Sequence, residues 1–109
     1  MDRNELIKLI GDVLTKLDVL RGSLLPDDPQ RKDLDRLRSR LDLLQSELVQ
    51  NAFDDGTPEY KKAASEIKAV NDDLRSTIAD VNKVADTLEA LKAFVGAVDT
   101  LVGIVLPLV

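Results

Sequence analysis

Carboxylates are the side chains of this chain best suited to chemistry, because it contains no histidine and no cysteine. Two carboxylates can share acid–base work or hold a hard cation when both converge on one point. Adjacent aspartates occur three times, as Asp27 with Asp28, Asp54 with Asp55, and Asp72 with Asp73. The first two pairs stand in turn sequences with proline or glycine, so we interpret them as caps and turn formers. The third pair cannot share one helix face, and we expect both carboxylates in solvent.

Other catalytic or metal-binding patterns are weak. The segment Asp54, Asp55, Gly56 lacks the alternating ligands of a calcium loop. Di-metal carboxylate bundles use Glu-x-x-His motifs, which a chain without histidine cannot provide. The single Ser-x-x-Lys spacing, Ser65 to Lys68, stands without the other groups that this chemistry requires. The sequence therefore predicts a protein that is not an enzyme, with no catalytic residue, no metal and no cofactor.

The charge balance disfavours a nucleic-acid partner. Fifteen basic and twenty acidic side chains leave a net charge of -5, whereas phosphate binding needs a basic field. One basic cluster exists, and two aspartates interrupt it: Arg31, Lys32, Arg36, Arg38 and Arg40, with Asp33 and Asp35. At helical spacing this cluster indicates a solvated face with internal ion pairs.

Length and composition indicate one domain, residues 1–109. The chain is 44% hydrophobic and 32% charged, and domains of about 100 residues are common. The start of the chain, Met1 to Glu5, has no basic region followed by an apolar one, so we expect no cleaved secretory signal. We predict a cytoplasmic protein and leave export by a signal-independent route open.

Two helices of about 24 residues are predicted first, from apolar spacings of three and four. One spans residues 2–24, where Asp2 and Glu5 can form a capping box and Pro26 ends the segment. The other spans residues 29–53, with Asp28 as N-cap and Pro29 at the first helical position.

A long third helix, residues 58–106, is predicted next, with Thr57 as its cap. Apolar residues recur every seven positions, and a second row follows three residues behind the first. We call the two rows together the heptad row: Tyr60, Ile67, Leu74, Val81, Leu88, Val95 and Val102, then Ala63, Val70, Thr77, Val84, Leu91, Val98 and Val105. A repeat of this length imposes a left-handed supercoil on the helices that it joins.

Ten bulky members of the heptad row are the candidate interaction seam: Tyr60, Ile67, Leu74, Val81, Leu88, Leu91, Val95, Val98, Val102 and Val105. Polar residues also lie in the row, as Thr77 does, or at its edge, as Asn71, Lys92 and Asp99 do. Polar positions of this kind commonly fix register or oligomeric state. Lys92 and Asp99, seven residues apart, could form ion pairs between chains.

The third helix is too long for its neighbours. A continuous helix over 58–106 would measure about 73 Å, against roughly 36 Å for each of the first two. The segment could fold back into two antiparallel helices and complete a four-helix bundle, pair with another chain, or meet a membrane. Asn71 and Gly96 mark the two candidate breaks, but we expect continuity through at least Leu91, because 59–95 holds no glycine or proline.

The C-terminal segment 93–109 carries one charge, Asp99. Its small residues gather on one helix side, and we call them the small-residue face: Ala93, Gly96, Ala97, Thr100 and Gly103. Such faces let helices approach closely in membranes. A segment of at most seventeen apolar residues is shorter than the about 20 that a spanning helix needs, and it contains Asp99. We therefore favour burial in a bundle or an oligomer.

These patterns predict an all-α protein: an antiparallel bundle of two shorter helices and one long, heptad-patterned helix. The expected function is a non-enzymatic interaction module that self-associates or binds a partner helix through the seam. The alternative is a membrane-active bundle, toxin-like or lysis-like, that uses segment 93–109. The predicted partner is thus a protein or a second copy, not a nucleic acid, with membrane contact as the alternative.

Overall fold

The computed structural model describes residues 3–52, 56–104 and 106–107, and four α-helices account for most of them. The helices are α1 (Arg3–Arg21), α2 (Pro29–Gln50), α3 (Pro58–Ala79) and α4 (Val84–Ile104). A short 3₁₀ turn, Val81–Lys83, leads into α4. The prediction of an all-α bundle is confirmed, and the prediction of three helices is wrong.

The chain forms two antiparallel hairpins. In the first, the Arg3 guanidinium at the start of α1 donates to the carbonyl oxygen of Leu48 near the end of α2, at 2.9 Å. In the second, Thr77 near the end of α3 is hydrogen-bonded to Thr87 near the start of α4. Each pair of consecutive helices therefore runs in opposite directions.

The two hairpins pack side by side, α1 against α3 and α2 against α4. Lys16 Nζ, late in α1, donates to Asn71 Oδ1, late in α3, at 2.9 Å. At the opposite end two-residue strands, β1 (Asn51–Ala52) and β2 (Leu106–Pro107), pair antiparallel just after α2 and α4. Both hairpin turns consequently lie at one end of the bundle, which we call the turn end.

Capping chemistry places the starts of α2 and α3 where the sequence predicts them. The Asp28 carboxylate accepts the N–H of Gln30 at 2.8 Å, and the Thr57 hydroxyl accepts the N–H of Tyr60 at 3.2 Å. The helix ends differ from prediction: α1 ends at Arg21, before Gly22, because glycine is a poor helix former. The predicted start of the first helix at Asp2 lies outside the described residues.

The predicted continuity of the third helix is wrong, and so are both candidate breaks. Asn71 lies inside α3 and Gly96 inside α4, whereas the chain turns at Asp80. Asp80 is extended, with φ -144° and ψ 97°, and its carboxylate accepts the N–H of Asn82 at 3.2 Å. An aspartate in this geometry ends one helix and caps the next. The turn folds α4 back on α3 and produces a bundle 43 Å long.

The predicted helix ends near the C-termini of α2 and α4 also change. The second helix stops at Gln50 rather than residue 53, and α4 stops at Ile104 rather than residue 106. Backbone pairing between β1 and β2 replaces the last helical turns, with Asn51 opposite Pro107 and Ala52 opposite Leu106. Proline has no N–H to continue a helix ladder, which favours this ending.

Candidate interaction surfaces

The candidate interaction seam lies mainly inside the bundle. Seven of its ten residues are buried in the common core: Tyr60, Ile67, Leu74, Leu88, Leu91, Val95 and Val98. Val102 is partly buried and packs against that core, and Val105 lies outside the described residues. Val81 differs, because 38% of its surface is exposed at the α3–α4 turn. The heptad row therefore packs inside the bundle, whereas the sequence predicted that the long third helix would extend beyond the first two.

The register of the α3–α4 hairpin rests on two threonines. The hydroxyls of Thr77 and Thr87 are hydrogen-bonded to each other in the interior. Buried hydroxyls need such a partner, since an unpaired one costs about 1–3 kcal/mol. The sequence identified Thr77 as a register position but gave no sign of Thr87 as its partner.

The polar residues at the edge of the heptad row find partners within the chain. Asn71 is buried and accepts its hydrogen bond from Lys16 on α1. Asp99 pairs with Arg40 on α2, and Lys92 lies 3.7 Å from Glu89 on its own helix. An ion pair between chains is therefore not needed to explain Lys92 or Asp99. These contacts tie α4 to α2 and α3 to α1.

The small-residue face points largely outward. Ala93, Gly96, Thr100 and Gly103 are exposed, while Ala97 is buried against the core. A cavity of about 290 Å³ lies along this face beside the start of α3, and it is lined by Glu59, Lys62, Lys92, Ala93, Gly96, Ala97 and Thr100. A Cβ atom built on Gly96 meets no heavy atom within 4 Å. The small-residue face is therefore open to solvent along most of its length.

A charged cluster joins α1 to α2 near the turn end, and the sequence did not reveal it. Arg38 binds Asp18 through two hydrogen bonds, Nε to Oδ1 at 2.7 Å and Nη2 to Oδ2 at 3.2 Å. Arg21 Nε lies 2.9 Å from Asp35 Oδ1. The predicted basic face thus pairs with α1 as well as with its own helix. Side chains 20 residues apart in sequence meet only when the hairpin forms.

The electrostatics of this cluster favour the ionised form of Asp18. The hydrogen bond from Arg38, with the nearby positive charges of Arg38 and Arg21, holds the pKa of Asp18 below its usual value, despite a smaller opposite effect of burial. A general base works best with a pKa near the operating pH, so this carboxylate is poorly suited to that role. A cavity of about 580 Å³ here is lined by charged and hydroxyl side chains: Asp18, Arg21, Arg31, Asp35, Arg38 and Ser39.

The aspartate pairs occupy the structural positions expected of them where they are described. Asp28 caps α2, and Asp27 is exposed beside it. Asp72 and Asp73 are both exposed, with Asp72 3.7 Å from Arg75. The pair at 54 and 55 lies outside the described residues. Within residues 3–52, 56–104 and 106–107, no group of three metal-binding side chains converges.

Comparison with protein-family models, with curated proteins and with solved structures gave no significant match. Among the described helices, none combines the length and apolarity that crossing a bilayer requires.

Proposed function

We propose that this chain is a non-enzymatic helical interaction module that self-associates or binds a partner helix through the heptad row. The observation that carries the proposal is the continuity of the row across the α3–α4 turn. Leu74, Val81 and Leu88 follow one another at intervals of seven residues, two in the core and one exposed between them. The same apolar surface can close one chain or join two helices from different chains.

Burial of apolar surface would supply the free energy of association. Fully burying a valine or leucine side chain contributes about 1.5–3 kcal/mol relative to leaving it exposed. Val81 is a described member of the row that still has such surface to bury. Asp18 and Asp35 are each paired with an arginine of the other helix of the hairpin, which suits a structural link between α1 and α2.

Sedimentation equilibrium from low to high micromolar concentration tests self-association. We expect a dimer that forms as concentration rises. Val81→Ser should weaken it several-fold, because a hydroxyl replaces apolar surface in the row. The matched control is Val19→Ser, since Val19 is an exposed valine on α1, outside the row. A parent chain that stays monomeric and captures no heptad-patterned helix peptide would refute the proposal.

A membrane-active bundle is the second candidate, and the outward small-residue face favours it. Gly96, Thr100 and Gly103 are exposed on α4, whose residues from 93 onward belong to the low-charge segment 93–109. Flotation with anionic and neutral vesicles tests this function, and we expect the full chain to float only if α4 leaves the bundle. Gly96→Lys is the informative variant, because its Cβ has open space and its charge opposes insertion. A parent chain that remains unbound to both vesicles would exclude this candidate.

A further inference from the structure

We propose that the α3–α4 turn is a hinge: two copies of the chain open it and exchange α4, so that α3 and α4 become one continuous helix in each chain of a dimer. This inference rests on the proposed self-association and specifies its mechanism. The occupant of each opened bundle is the α4 of the second copy.

The turn is short, and the Asp80 cap is the local feature that favours it. Asp80 alone separates the end of α3 from the 3₁₀ turn that begins at Val81. Residues 59–95 contain no glycine or proline, and the described residues contain no backbone with positive φ. Nothing local therefore forbids a helix through Asp80. Short hinges of this kind favour exchange, which is a low-cost route to dimers.

The heptad row supports both forms. In a continuous helix Val81 would occupy the row between Leu74 and Leu88 with no change of register, since each step is seven residues. The contacts between α3 and α4, including the bond between Thr77 and Thr87, would form again between the two chains. The closed and exchanged forms therefore share these contacts and differ at the hinge and at the turn ends that the dimer brings together.

Three exposed apolar side chains lie at the end where the two bundles would meet. Leu25 is 71% exposed, Val81 38% and Ile78 36%, and all three lie at the turn end. Opening both hinges places the two bundles end to end, with their turn ends facing each other. A second copy would then cover the surface that one chain leaves in water, which favours the dimer.

Förster resonance energy transfer between two dyes on one chain distinguishes the exchange of α4 from the docking of two closed bundles. Lys62 and Thr100 are exposed and line the same cavity in the closed bundle. On a continuous helix they would stand about 57 Å apart, at 1.5 Å per residue. The chain has no native cysteine, so Lys62→Cys with Thr100→Cys gives two unique labelling sites. The doubly labelled chain is mixed with excess unlabelled chain, refolded at high concentration, and separated into monomer and dimer.

We expect high energy transfer in the monomer and a loss of more than half of it in the dimer. A dimer that keeps the transfer of the monomer overturns exchange but leaves self-association intact. Absence of any dimer overturns both exchange and self-association. The two failures are therefore distinguishable in one experiment.

Two hinge variants test the mechanism independently. Val81→Pro suits the closed turn, because Val81 follows an extended Asp80 at the first position after a cap, but it breaks a continuous helix. We expect dimer association to weaken about 100-fold or more, with the monomer still folded by circular dichroism. Asp80→Ala removes the cap and should strengthen association about tenfold. Asp27→Ala, in the other turn, is the matched control, and a Val81→Pro chain that dimerises as tightly as the parent contradicts the hinge.

Discussion

The hydroxyls of Thr77 and Thr87 satisfy each other in the bundle interior, ten residues apart across the α3–α4 turn. Both side chains are almost fully buried, so neither has water as an alternative partner. A polar pair of this kind tolerates little sliding of one helix along the other, because each shift would leave two unpaired hydroxyls. The pair therefore sets the register of the hairpin as well as contributing to its stability.

Removing one of these hydroxyls should cost more than removing both. Thr77→Val leaves the Thr87 hydroxyl without its partner, and we expect a loss of about 1–3 kcal/mol in the free energy of unfolding. The double variant Thr77→Val with Thr87→Val should recover part of that loss, because the two apolar groups keep the same shape. Urea denaturation measures both values. Thr15→Val, on an exposed threonine bonded to its own helix, should change stability by less than about 0.5 kcal/mol. If the losses of the single variants Thr77→Val and Thr87→Val simply add in the double variant, the pairing is contradicted.

The centre of the core should be most sensitive at Phe94. This side chain is fully buried, and Phe94→Ala should reduce the free energy of unfolding by about 3–5 kcal/mol through lost burial and a cavity. Leu43→Ala is the matched control, because Leu43 is 53% exposed on α2, and we expect a change below about 0.5 kcal/mol. Chemical denaturation of the two variants gives the comparison. Similar losses at the two positions would show that α4 is packed differently.

Acid should weaken the link between α1 and α2 through Asp18. Its pKa is lowered in the folded state, so the stabilisation is complete above the unfolded pKa, about 3.9, and is lost as pH falls through the lower folded value. The effect is small, because the pair is solvent-exposed and screened. Carbon-detected NMR titration should place the Asp18 pKa below that of a free aspartate, and Arg38→Met should raise it. Arg36→Met is the control, since Arg36 pairs with Asp33 and not with Asp18. An Asp18 pKa unaffected by Arg38→Met would contradict this account.

Gly96 should tolerate a side chain without loss of packing. Its Cβ would meet no atom within 4 Å, so Gly96→Ala should stabilise the folded monomer by about 0.5–1 kcal/mol through reduced backbone freedom in the unfolded chain. Gly11→Ala tests the tighter case, because its Cβ would lie 3.4 Å from Gln45 Nε2, and we expect a smaller gain. Thermal melting of dilute protein is the measurement. A destabilising Gly96→Ala would mean that the small-residue face is covered in the monomer.

Local sequence identified the pieces of the fold and their buried faces. Asp28, Thr57 and the prolines that follow them start helices because their chemistry acts within a few residues. Heptad spacing likewise identified most of the core of α3 and α4, since periodicity alone determines which side of a helix is apolar. It did not identify the turn: Asp80 carries cap chemistry, but so do Asp72, Asp73 and Asp86, and nothing nearby distinguishes them.

The sequence by itself therefore determined an all-α chain, the starts of α2 and α3, the heptad spacing of its apolar residues and its lack of histidine and cysteine chemistry. Only the tertiary structure decided that the heptad row turns at Asp80 and packs against itself, and that Thr87, Lys16 and Asp18 are the partners of Thr77, Asn71 and Arg38. The physical reason is that the spacing of apolar residues determines which face of a helix must be buried. It does not determine which other helix covers that face. Because α4 folds back on α3, it buries the heptad row of the same chain as fully as a helix from another chain would.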